Sequence, residues 1–310
     1  MRGPARKTLD HLVGCMPLYF RRLLLKSFSN RPELALEAGF RVFPQVFYSP
    51  IVDPGEIDLE ALRRVRYLPG IHIDEAGILG LVEKISQYNT ELDQFPREVS
   101  GKNFVWHETY PSLDTAALYC LIRHLKPERY IEIGCGYSSR VSSAAMRRNE
   151  KEGHSCHATF IEPYPGPRLE GANLHGELLV QRIQDTPLSF FESLKKNDIL
   201  FIDTSHVIKC QNDVEYEFIH VLPSLKAGVW IHIHDISTPY DQREDWMVGP
   251  VNSWGGANEQ YILESLLSGG DTFEVKLPLF WLEKEFPKEA SRLLPETSGR
   301  PQAFWICKAK

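Results

Sequence analysis

The chain has 310 residues, 43% of them hydrophobic and 25% charged, which is enough for one large domain or two smaller ones with an apolar core. Its 35 basic and 41 acidic side chains give a formal net charge of −6, which disfavours a nucleic-acid partner for the chain as a whole. The apolar segment LVGCMPLYF (12–20) is too short to span a membrane and lacks the cleavage site of a secretory signal. The six cysteines include no CxxC pair, so we predict free thiols in a reducing, cytoplasmic setting.

The N-terminal region is basic at its start and helical in pattern. Residues 1–31 hold seven Lys or Arg against one Asp, which is typical of a surface helix with a basic face and also of a segment that contacts an acidic membrane surface. Residues 1–105 as a whole carry helical patterns broken by Pro-rich turns. They predict a mainly helical region that acts as a lid or as the interface of a homo-oligomer, followed by a second domain over residues 106–310.

Seven short apolar runs alternate with amphipathic segments in the second domain. The runs are RYIEIG (129–134), HATFIEP (157–163), ELLVQRI (177–183), DILFID (198–203), GVWIHIHD (228–235), FEVKL (273–277) and AFWICKA (303–309). Strands that alternate with helices are typical of a parallel sheet covered on both faces. The sequence therefore predicts an α/β fold with a doubly wound, seven-stranded, mostly parallel sheet.

The segment between the fourth and fifth runs predicts a crossover helix. Five apolar residues share one helical face, with Glu215 and Glu217 elsewhere: Val214, Phe218, Val221, Leu222 and Leu225. Gly228 then ends the helix, which makes GVWIHIHD the fifth strand.

A glycine loop follows the first run. Gly134 and Gly136 precede a helix rich in Ser and Ala, and glycine at such a turn permits a tight bend and the close approach of a ligand. Ser139 stands where a dinucleotide fingerprint has its third glycine, which disfavours a nicotinamide cofactor. A Rossmann-like turn that binds another ligand, or none, is the alternative.

Three acids lie near the ends of the first three runs. Glu132 precedes the first glycine by two residues, within reach of a cationic amino group. Glu162 ends the second run, where a carboxylate accepts hydrogen bonds from both hydroxyls of a ribose. Asp185 follows the third run, near the place that an adenine would take.

Four motifs occur in order: EIGCGYSS (132–139), FIEP (160–163), QDTPLSFFESL (184–194) and ILFIDTSH (199–206). By these motifs the sequence resembles the class I S-adenosylmethionine-dependent methyltransferases, over roughly residues 105–310. The resemblance implies a Rossmann-like fold and S-adenosylmethionine as the cofactor. The cofactor-binding residues that it implies are Glu132, Gly134, Gly136, Tyr137, Ser138, Glu162 and Asp185.

Polar side chains end the fourth and fifth runs. Asp203 ends the fourth, with His206 three residues later, and His234 with Asp235 ends the fifth. Neighbouring strands lie about 4.8 Å apart, so their carboxyl ends bring such groups to one point, where doubly wound sheets also bind ligands. Three convergent nitrogen and oxygen ligands with open positions suit a divalent cation.

This arrangement resembles the metal-dependent O-methyltransferases of small molecules, and within them the antibiotic-sugar (macrocin-type) group. There an aspartate ends strand four, a base follows three residues on, and an acidic pair ends strand five. The resemblance implies Asp203, His234 and Asp235 as ligands of Mg²⁺ or Mn²⁺. It implies Asp203 and His206 as catalytic residues, with His206 as the general base. His234 departs from the pattern, which has a carboxylate there, and imidazole favours Mn²⁺, Fe²⁺ or Zn²⁺.

Three of these residues can also be explained by a structural role alone. His206 also fits a polar residue that opens a helix, and Asp235 fits a cap or turn. His232 lies one pleat below His234 and fits either a residue that supports the site or a core histidine.

The segment after the fifth strand is a long loop followed by a helix. Loops of this length at this edge of a sheet are usually functional. Tyr240, Trp246 and Trp254 are candidates for the wall of an acceptor pocket, or for simple packing. The motif NEQY (258–261) fits the cap of the returning helix.

The predicted function is methyl transfer from S-adenosylmethionine to a hydroxyl of a small molecule or sugar, assisted by a divalent metal and a histidine base. One alternative is metal-independent transfer by His206 alone, and another is a protein that binds the donor without transferring its methyl group. Methylation of DNA or amines is disfavoured, because strand four ends in IDTSH and not in an Asn/Asp-Pro-Pro-Tyr motif.

Overall fold

The computed structural model describes residues 15–42, 46–47, 49, 51–95, 110–248 and 256–310. The chain divides into two compact units, residues 1–57 and residues 58–310. The first unit contains the helices α1 (Leu18–Asn30) and α2 (Pro32–Glu37) and a 3-10 turn at Pro54–Glu56. The N-terminal region is therefore helical, as predicted.

The second unit is built on one seven-stranded sheet whose strands coincide with the seven predicted apolar runs. The strands are β1 (Arg129–Ile133), β2 (His157–Ile161), β3 (Glu177–Leu179), β4 (Ile199–Ile202), β5 (Trp230–Ile233), β6 (Phe273–Pro278) and β7 (Phe304–Lys308). Their order is β3-β2-β1-β4-β5-β7-β6. The first five are parallel, and β7 runs antiparallel to both β5 and β6. The predicted doubly wound, mostly parallel sheet is confirmed.

Helices connect and flank these strands. They are α3 (Leu59–Leu62), α4 (Glu75–Ser86), α5 (Ser112–Leu125), α6 (Ser138–Lys151), α7 (Leu188–Phe191), α8 (Asp213–Tyr216), α9 (Leu222–Ser224), α10 (Glu244–Met247), α11 (Glu259–Ser268), α12 (Leu279–Glu285) and α13 (Pro287–Leu293). Short 3-10 turns lie at Asn89–Gln94 and Ile183–Asp185. A π-helical turn, Glu217–Val221, joins α8 to α9.

Side-chain alternation along the strands produces two apolar cores. Tyr130 and Phe201 belong to one core, whereas Ile131 and Leu200, the next or preceding residues, belong to the other. Since successive side chains of a strand point to opposite faces, these two cores lie on the two sides of the sheet. This burial on both sides explains why the inner strands, such as β4, appear in the sequence as continuous apolar runs.

The division between the two compact units falls well before the predicted boundary at residues 105 and 106. Helix α4 explains the difference, because it packs against α5 and α13 of the sheet domain. Its Ile78, Val82 and Ile85 are buried in one of the two sheet cores. The amphipathic pattern indicated the helix, but a pattern does not state which domain receives its apolar face. The lid or oligomerisation role of the N-terminal region stays a prediction.

The crossover between β4 and β5 corrects one detail of the sequence analysis. The five apolar residues predicted to share a face are all buried: Val214, Phe218, Val221, Leu222 and Leu225. Glu217, which the pattern placed elsewhere, is buried as well, and its carboxylate accepts a hydrogen bond from Thr204 Oγ1 at 3.1 Å. The π-helical turn is wider than the 3.6-residue period behind the prediction, so Glu217 falls on the inner side.

Membrane contact and redox state were also predicted from the sequence. Within the described ranges, no helix is long and apolar enough to cross a membrane. Free thiols are found, as predicted, at Cys120, Cys135, Cys156, Cys210 and Cys307. Residues 1–14 of the basic segment lie outside the part of the chain that the structure describes, so surface contact through that segment stays a prediction.

The strand register brings the predicted site residues to one edge of the sheet. Ile202 of β4 pairs with Ile233 of β5, so that Asp203 and His234, the next residue of each strand, are neighbours. The backbone N–H of Asp203 donates to Ile133 of β1 at 2.9 Å, and that of His234 donates to Ile202 at 3.0 Å. The carboxyl ends of β1, β4 and β5 are therefore hydrogen-bonded side by side.

Candidate active site

A cavity of about 880 Å³ opens at the carboxyl edge of the sheet. Its wall includes the segments that follow four strands: 133–138, 161–164, 203–206 and 234–235. The predicted cofactor loop and the predicted catalytic cluster thus face the same space, at the edge where doubly wound sheets bind ligands.

Glycine stands at the two positions of the loop for different structural reasons. Gly134 has a φ of +79°, and a Cβ at this position would lie 1.8 Å from the carbonyl oxygen of Asp203. The loop therefore approaches the end of β4 closely only because residue 134 has no side chain. A Cβ on Gly136 would meet nothing nearer than the Cδ of Arg168 at 3.8 Å, so the space beside Gly136 is open to a ligand.

Glu132 lies behind the glycine loop and is not part of the cavity wall. Its carboxylate is completely buried. It accepts hydrogen bonds from Ser138 and Ser139 at 2.8 and 2.6 Å, and from Tyr130 and Ser142 at 2.7 and 3.1 Å. The structure therefore corrects the predicted contact between Glu132 and an amino group, because four hydroxyl groups surround the carboxylate and hold the loop from behind.

Substitution of Glu132 by glutamine is expected to change how stability depends on pH. Burial raises the pKa of Glu132 to about 7, although the four hydroxyl groups favour the carboxylate. The pKa of a glutamate in an unfolded chain is about 4.3. Between this pKa and that of the folded state, the folded chain keeps a proton on Glu132 that the unfolded chain has lost. The free energy of unfolding should therefore fall as pH rises through this window.

Urea unfolding at about pH 5 and about pH 8 measures this dependence, and Glu132→Gln should remove up to about 3 kcal/mol of it. Identical pH dependence in the variant and the parent chain would contradict the assignment.

Glu162 ties the end of β2 to the glycine loop and lines the cavity. Its Oε2 accepts a hydrogen bond from the backbone N–H of Cys135 at 3.1 Å, and its Oε1 accepts one from the N–H of Tyr164 at 2.7 Å. Each carboxylate oxygen has a second lone pair, so both remain able to accept hydroxyl donors. Tyr137 and Ser138 line the same cavity.

Asp185 does not reach the cavity. Its carboxylate pairs with the guanidinium of Arg182 at the exposed surface, with both N–O distances at 2.9 Å. Arg182, Ile183 and Gln184 line the cavity in its place. The predicted position after β3 is thus part of the site, but the predicted residue is not in the cavity wall.

The ends of β4 and β5 bring together a histidine and two aspartates. His206 Nε2 lies 3.0 Å from Asp235 Oδ2 and 3.4 Å from Asp203 Oδ1. On the other side of the ring, Nδ1 lies 2.8 Å from Oε2 of Glu259, at the start of α11. His206 and Glu259 are both buried, and His206 borders the cavity together with Asp203 and Asp235. His206 thus has one nitrogen fixed by a carboxylate and the other directed at the aspartate pair.

Two members of this cluster have strained backbones. His206 has a φ of +58° and Asp235 a φ of +61°, in the left-handed region that favours glycine. Such conformations persist only where the surrounding structure enforces them, and they concentrate at functional sites. The helix-start interpretation of His206 does not explain this strain.

Charge and burial act in opposite directions on His206. Burial alone would lower the pKa of the imidazole, but the three carboxylates around the ring raise it well above its usual range. Burial likewise opposes ionisation of Asp235, yet His234 and His206 hold the pKa of that carboxyl below its usual range. The cluster is therefore a set of ion pairs in which each charge depends on its neighbours.

His234 is oriented by a residue that the sequence analysis did not consider. Its Nε2 lies 3.2 Å from Oδ2 of Asp114, which is fully buried on α5 and also accepts the backbone N–H of Gln302 at 2.9 Å. Its Nδ1 is buried, with Asp235 and Asp203 oxygens at 3.6 and 3.9 Å, too far for hydrogen bonds. The ring therefore directs an unpaired nitrogen at the two aspartates.

His232 is a core histidine. Its ring stacks on Phe201 with centroids 3.9 Å apart and planes at 3°, and Trp305 meets it edge-on at 4.9 Å. Burial lowers the pKa of His232 well below its usual range, so the ring is neutral. It supports His234 from the layer below, with a centroid distance of 5.7 Å.

The structure describes two of the three aromatic residues predicted for the pocket wall in the loop after β5, and one of these two lines the cavity. Trp246 lines the cavity, and its ring lies 5.1 Å from the guanidinium carbon of Arg243. Tyr240 is buried outside the cavity wall and donates its hydroxyl to Glu285. Trp254 lies outside the described residues, so its role stays a prediction.

The site lies within a recognised family of domains. A family model described as "Methyltransferase domain" matches residues 131–236, a range that holds all of the predicted cofactor-binding, metal-binding and catalytic residues. An uncharacterized protein of Archaeoglobus fulgidus is 33% identical over 175 residues, which are 53% of this chain and 78% of that protein. The chain belongs to the class I S-adenosylmethionine-dependent methyltransferases. The predicted family is thereby confirmed.

Several solved structures resemble this methyltransferase. The O-methyltransferase TomG from Streptomyces achromogenes, in complex with SAM, is 16% identical, with 77% of this chain and 92% of that chain covered and a TM-score of 0.40. The O-methyltransferase from Bacillus cereus, in complex with SAH, is 15% identical, with 74% and 91% covered and a TM-score of 0.38. Both are distant similarities.

Sequence reasoning missed two carboxylates of this methyltransferase site. Asp114 lies in the apolar pattern SLDTAALYCLI, and an acid in such a helix is a sign of a buried partner. Glu259 belongs to NEQY, which was interpreted as a helix cap, although its side chain is buried against His206. The sequence therefore contained a signal for Asp114. It contained none for Glu259, because a glutamate at the start of a helix is equally typical of a helix cap.

The nitrogen and oxygen atoms at the ends of β4 and β5 fit a divalent cation. Ligand atoms of Asp203, His206 and Asp235 all lie within 4.8 Å of one another. His234 adds a buried, unpaired Nδ1 directed at the same carboxylates. Metal-binding histidines commonly hold a carboxylate on their other ring nitrogen, and both histidines meet this condition, through Glu259 and Asp114. His206 is thus a second candidate ligand beside the predicted set.

Proposed function

We propose that this chain transfers a methyl group from S-adenosylmethionine to a hydroxyl of a small molecule or sugar. The observation that carries the proposal is the position of the histidine–aspartate cluster at the ends of β4 and β5, in the same cavity as the glycine loop and Glu162. A donor held at the loop and an acceptor held at the cluster would share one cavity, which favours direct transfer between them.

His206 is proposed as the general base. In the reaction a bond forms between the acceptor oxygen and the methyl carbon while the methyl–sulfur bond breaks, and the hydroxyl loses a proton. Glu259 holds Nδ1 of His206, so Nε2 is the nitrogen that borders the cavity and would receive this proton. Asp203 and Asp235 favour the protonated ring because they raise the pKa of His206, so a bound cation that neutralises these carboxylates would free Nε2 to act as the base. Glu259 acts as a positioning residue because it fixes the orientation of the ring.

Asp203, His234 and Asp235 are proposed to hold a divalent cation. When bound, such a cation lowers the pKa of a hydroxyl in contact with it. The unpaired Nδ1 of His234 supports this ligand set, since Asp114 already occupies the other ring nitrogen. Nε2 of His206 cannot both bind the cation and accept the proton, so assigning His206 as the base assigns the third ligand to His234.

The acceptor can be identified by incubating the full chain with a metabolite extract and a donor labelled in its methyl group. The carbon NMR signal of the labelled methyl group should be that of an O-methyl ether, as expected for transfer to a hydroxyl. A labelled ester or amine would contradict the proposed acceptor class. Binding of the donor without any labelled product would instead support a binding protein.

Substitution of Glu162 by glutamine is expected to weaken binding of S-adenosylmethionine and S-adenosylhomocysteine by about 10- to 100-fold. One oxygen that would accept a ribose hydroxyl becomes an amide, and a hydrogen bond to a charged group contributes about 1.5–3 kcal/mol. Isothermal titration calorimetry measures the change. Asp185→Asn is the matched control and should leave both affinities unchanged, because Asp185 is not in the cavity wall and pairs with Arg182.

Equal loss in the two variants would show that the ribose assignment is wrong. Binding of a nicotinamide nucleotide, with no binding of either sulfur compound, would replace the methyltransferase proposal by an oxidoreductase.

A further inference from the structure

Arg300 is a half-buried cation in the cavity wall, in the segment before β7. Its guanidinium carbon lies 3.8 Å from the centre of the Phe280 ring, and Nη2 donates to Ser237 Oγ at 2.8 Å. Its Nε is buried and has no hydrogen-bond partner. In the described part of the chain, no carboxylate lies within 4.0 Å of it to form an ion pair.

The environment of Arg300 disfavours its charge. Burial and the nearby charge of Arg243 lower the pKa of Arg300 to about 10, and Asp245, Glu283 and Asp235 offset this only in part. Burying a charge without a close partner is unfavourable because the charge loses its water. An arginine held in this way, with donors left over, is suited to a ligand that brings the missing negative charge.

Arg243 connects this cation to the proposed catalytic cluster. It lines the same cavity and donates to the side-chain oxygen of Gln302, while the amide nitrogen of Gln302 donates to Asp235. Nη2 of Arg243 forms an ion pair with Asp245 Oδ2 at 2.7 Å. The two guanidinium groups therefore border the part of the cavity next to the end of β5.

This part of the cavity is separate from the glycine loop. Arg300 precedes β7, which neighbours β5, whereas the loop follows β1, and β4 lies between β1 and β5. Three strand spacings of about 4.8 Å give a separation of roughly 14 Å between β1 and β7. A ligand group bound by Arg300 therefore lies on the acceptor side of the site.

We propose that the methyl acceptor carries an oxyanion, a carboxylate or a phosphate, and that Arg300 binds it with Arg243 as a second donor. This inference names the substrate class of the same site and rests on the proposed methyl transfer. An acceptor of this kind would be held at its anionic group by the arginines while its hydroxyl lies toward His206 and Asp235.

The test uses the full chain with inorganic phosphate and malonate as probes, measured by isothermal titration calorimetry. Arg300→Gln should raise the dissociation constant of at least one probe by about 10- to 100-fold, as expected for loss of charge-assisted hydrogen bonds. Arg182→Gln is the control, because Arg182 lines the cavity after β3 and already pairs with Asp185. It should change the constant less than about threefold. If Arg300→Gln weakens binding of inorganic phosphate, the acceptor is expected to carry a phosphate. If it weakens binding of malonate, the acceptor is expected to carry a carboxylate.

Affinity for S-adenosylmethionine and thermal stability are measured on the same proteins. Arg300→Gln should leave donor affinity unchanged, and a loss of donor affinity would mean that Arg300 binds the donor carboxylate, which overturns the inference. In buffer without the probes, its unfolding temperature should equal or exceed that of the parent chain, since an uncompensated charge is removed. A lower temperature with unchanged probe binding would show a purely structural role.

Arg300→Lys keeps the charge but lacks the planar fork, so it should bind the probes with intermediate affinity. If the parent chain binds the probes through Arg300 but no S-adenosylmethionine, the proposed function fails while the anion site stands. If it binds the donor but neither probe, the anion site fails while the proposed function stands.

Discussion

Substitution of His206 by asparagine is expected to lower kcat for methyl transfer by about 10²–10⁴-fold, the range for one general base. Asparagine suits the test because it tolerates the left-handed backbone of residue 206, whose φ is +58°. It keeps polar atoms in the cluster but has no nitrogen that accepts a proton near neutral pH. Single-turnover rates, with the acceptor that the labelling experiment identifies, measure the loss.

Glu259→Gln is the matched variant for this prediction. A glutamine oxygen still accepts the Nδ1 proton of His206, so the ring should keep its orientation and kcat should fall much less, by about tenfold. The affinity for S-adenosylhomocysteine should be unchanged in both variants, because the proposed donor contacts lie at the glycine loop and Glu162. An unaltered kcat in His206→Asn would remove the base assignment.

Loss of divalent cation binding is the second large expected effect. Asp203→Asn and His234→Gln should each weaken Mn²⁺ binding by more than about 100-fold, whereas His206→Asn should retain most of it. Removal of a direct ligand should exceed the 10- to 100-fold effect typical of residues that only support a ligand. Titration calorimetry with Mn²⁺ measures binding directly and does not depend on knowing the acceptor.

Asp114→Asn supplies the graded comparison for the cation prediction. Asp114 contacts Nε2 of His234 at 3.2 Å without facing the cavity, so its loss should weaken Mn²⁺ binding by about 10- to 100-fold. The opposite pattern, with binding lost in His206→Asn and kept in His234→Gln, would assign the cation to Asp203, His206 and Asp235. Full activity in a chelator, and in Asp203→Asn, would leave transfer by His206 alone.

The sequence by itself determined the architecture and the edge of the sheet at which the site lies. The inner strands are buried on both faces and are apolar along most of their length, which made them recognisable as runs in the sequence, and the shorter or partly exposed β3 and β6 were recognised from the same rhythm. A polar residue that ends such a run marks the carboxyl end of a strand, which is how Asp203 and His234 were located. Gly134 was found for a related reason, because only glycine permits that close approach to β4.

The tertiary structure decided the direction and the partners of the site side chains. Position in the sequence placed Glu132 and Asp185 near the cofactor, but four hydroxyl groups hold the first behind the loop and Arg182 holds the second at the surface. In both cases several hydrogen-bond partners lie near the carboxylate, and the folded chain determines which of them it contacts. Periodicity and motif spacing contain no information about which partner is taken.

The two carboxylates that orient the histidines depended on packing between distant segments. Asp114 and His234 are 120 residues apart in sequence, and Glu259 and His206 are 53 apart. A helix pattern shows that α5 or α11 has a buried face, but not which residue of a strand end that face meets. The sequence therefore identified the residues proposed to act, and only the folded chain showed Asp114 and Glu259 behind them, because these contacts arise from the packing of separate elements.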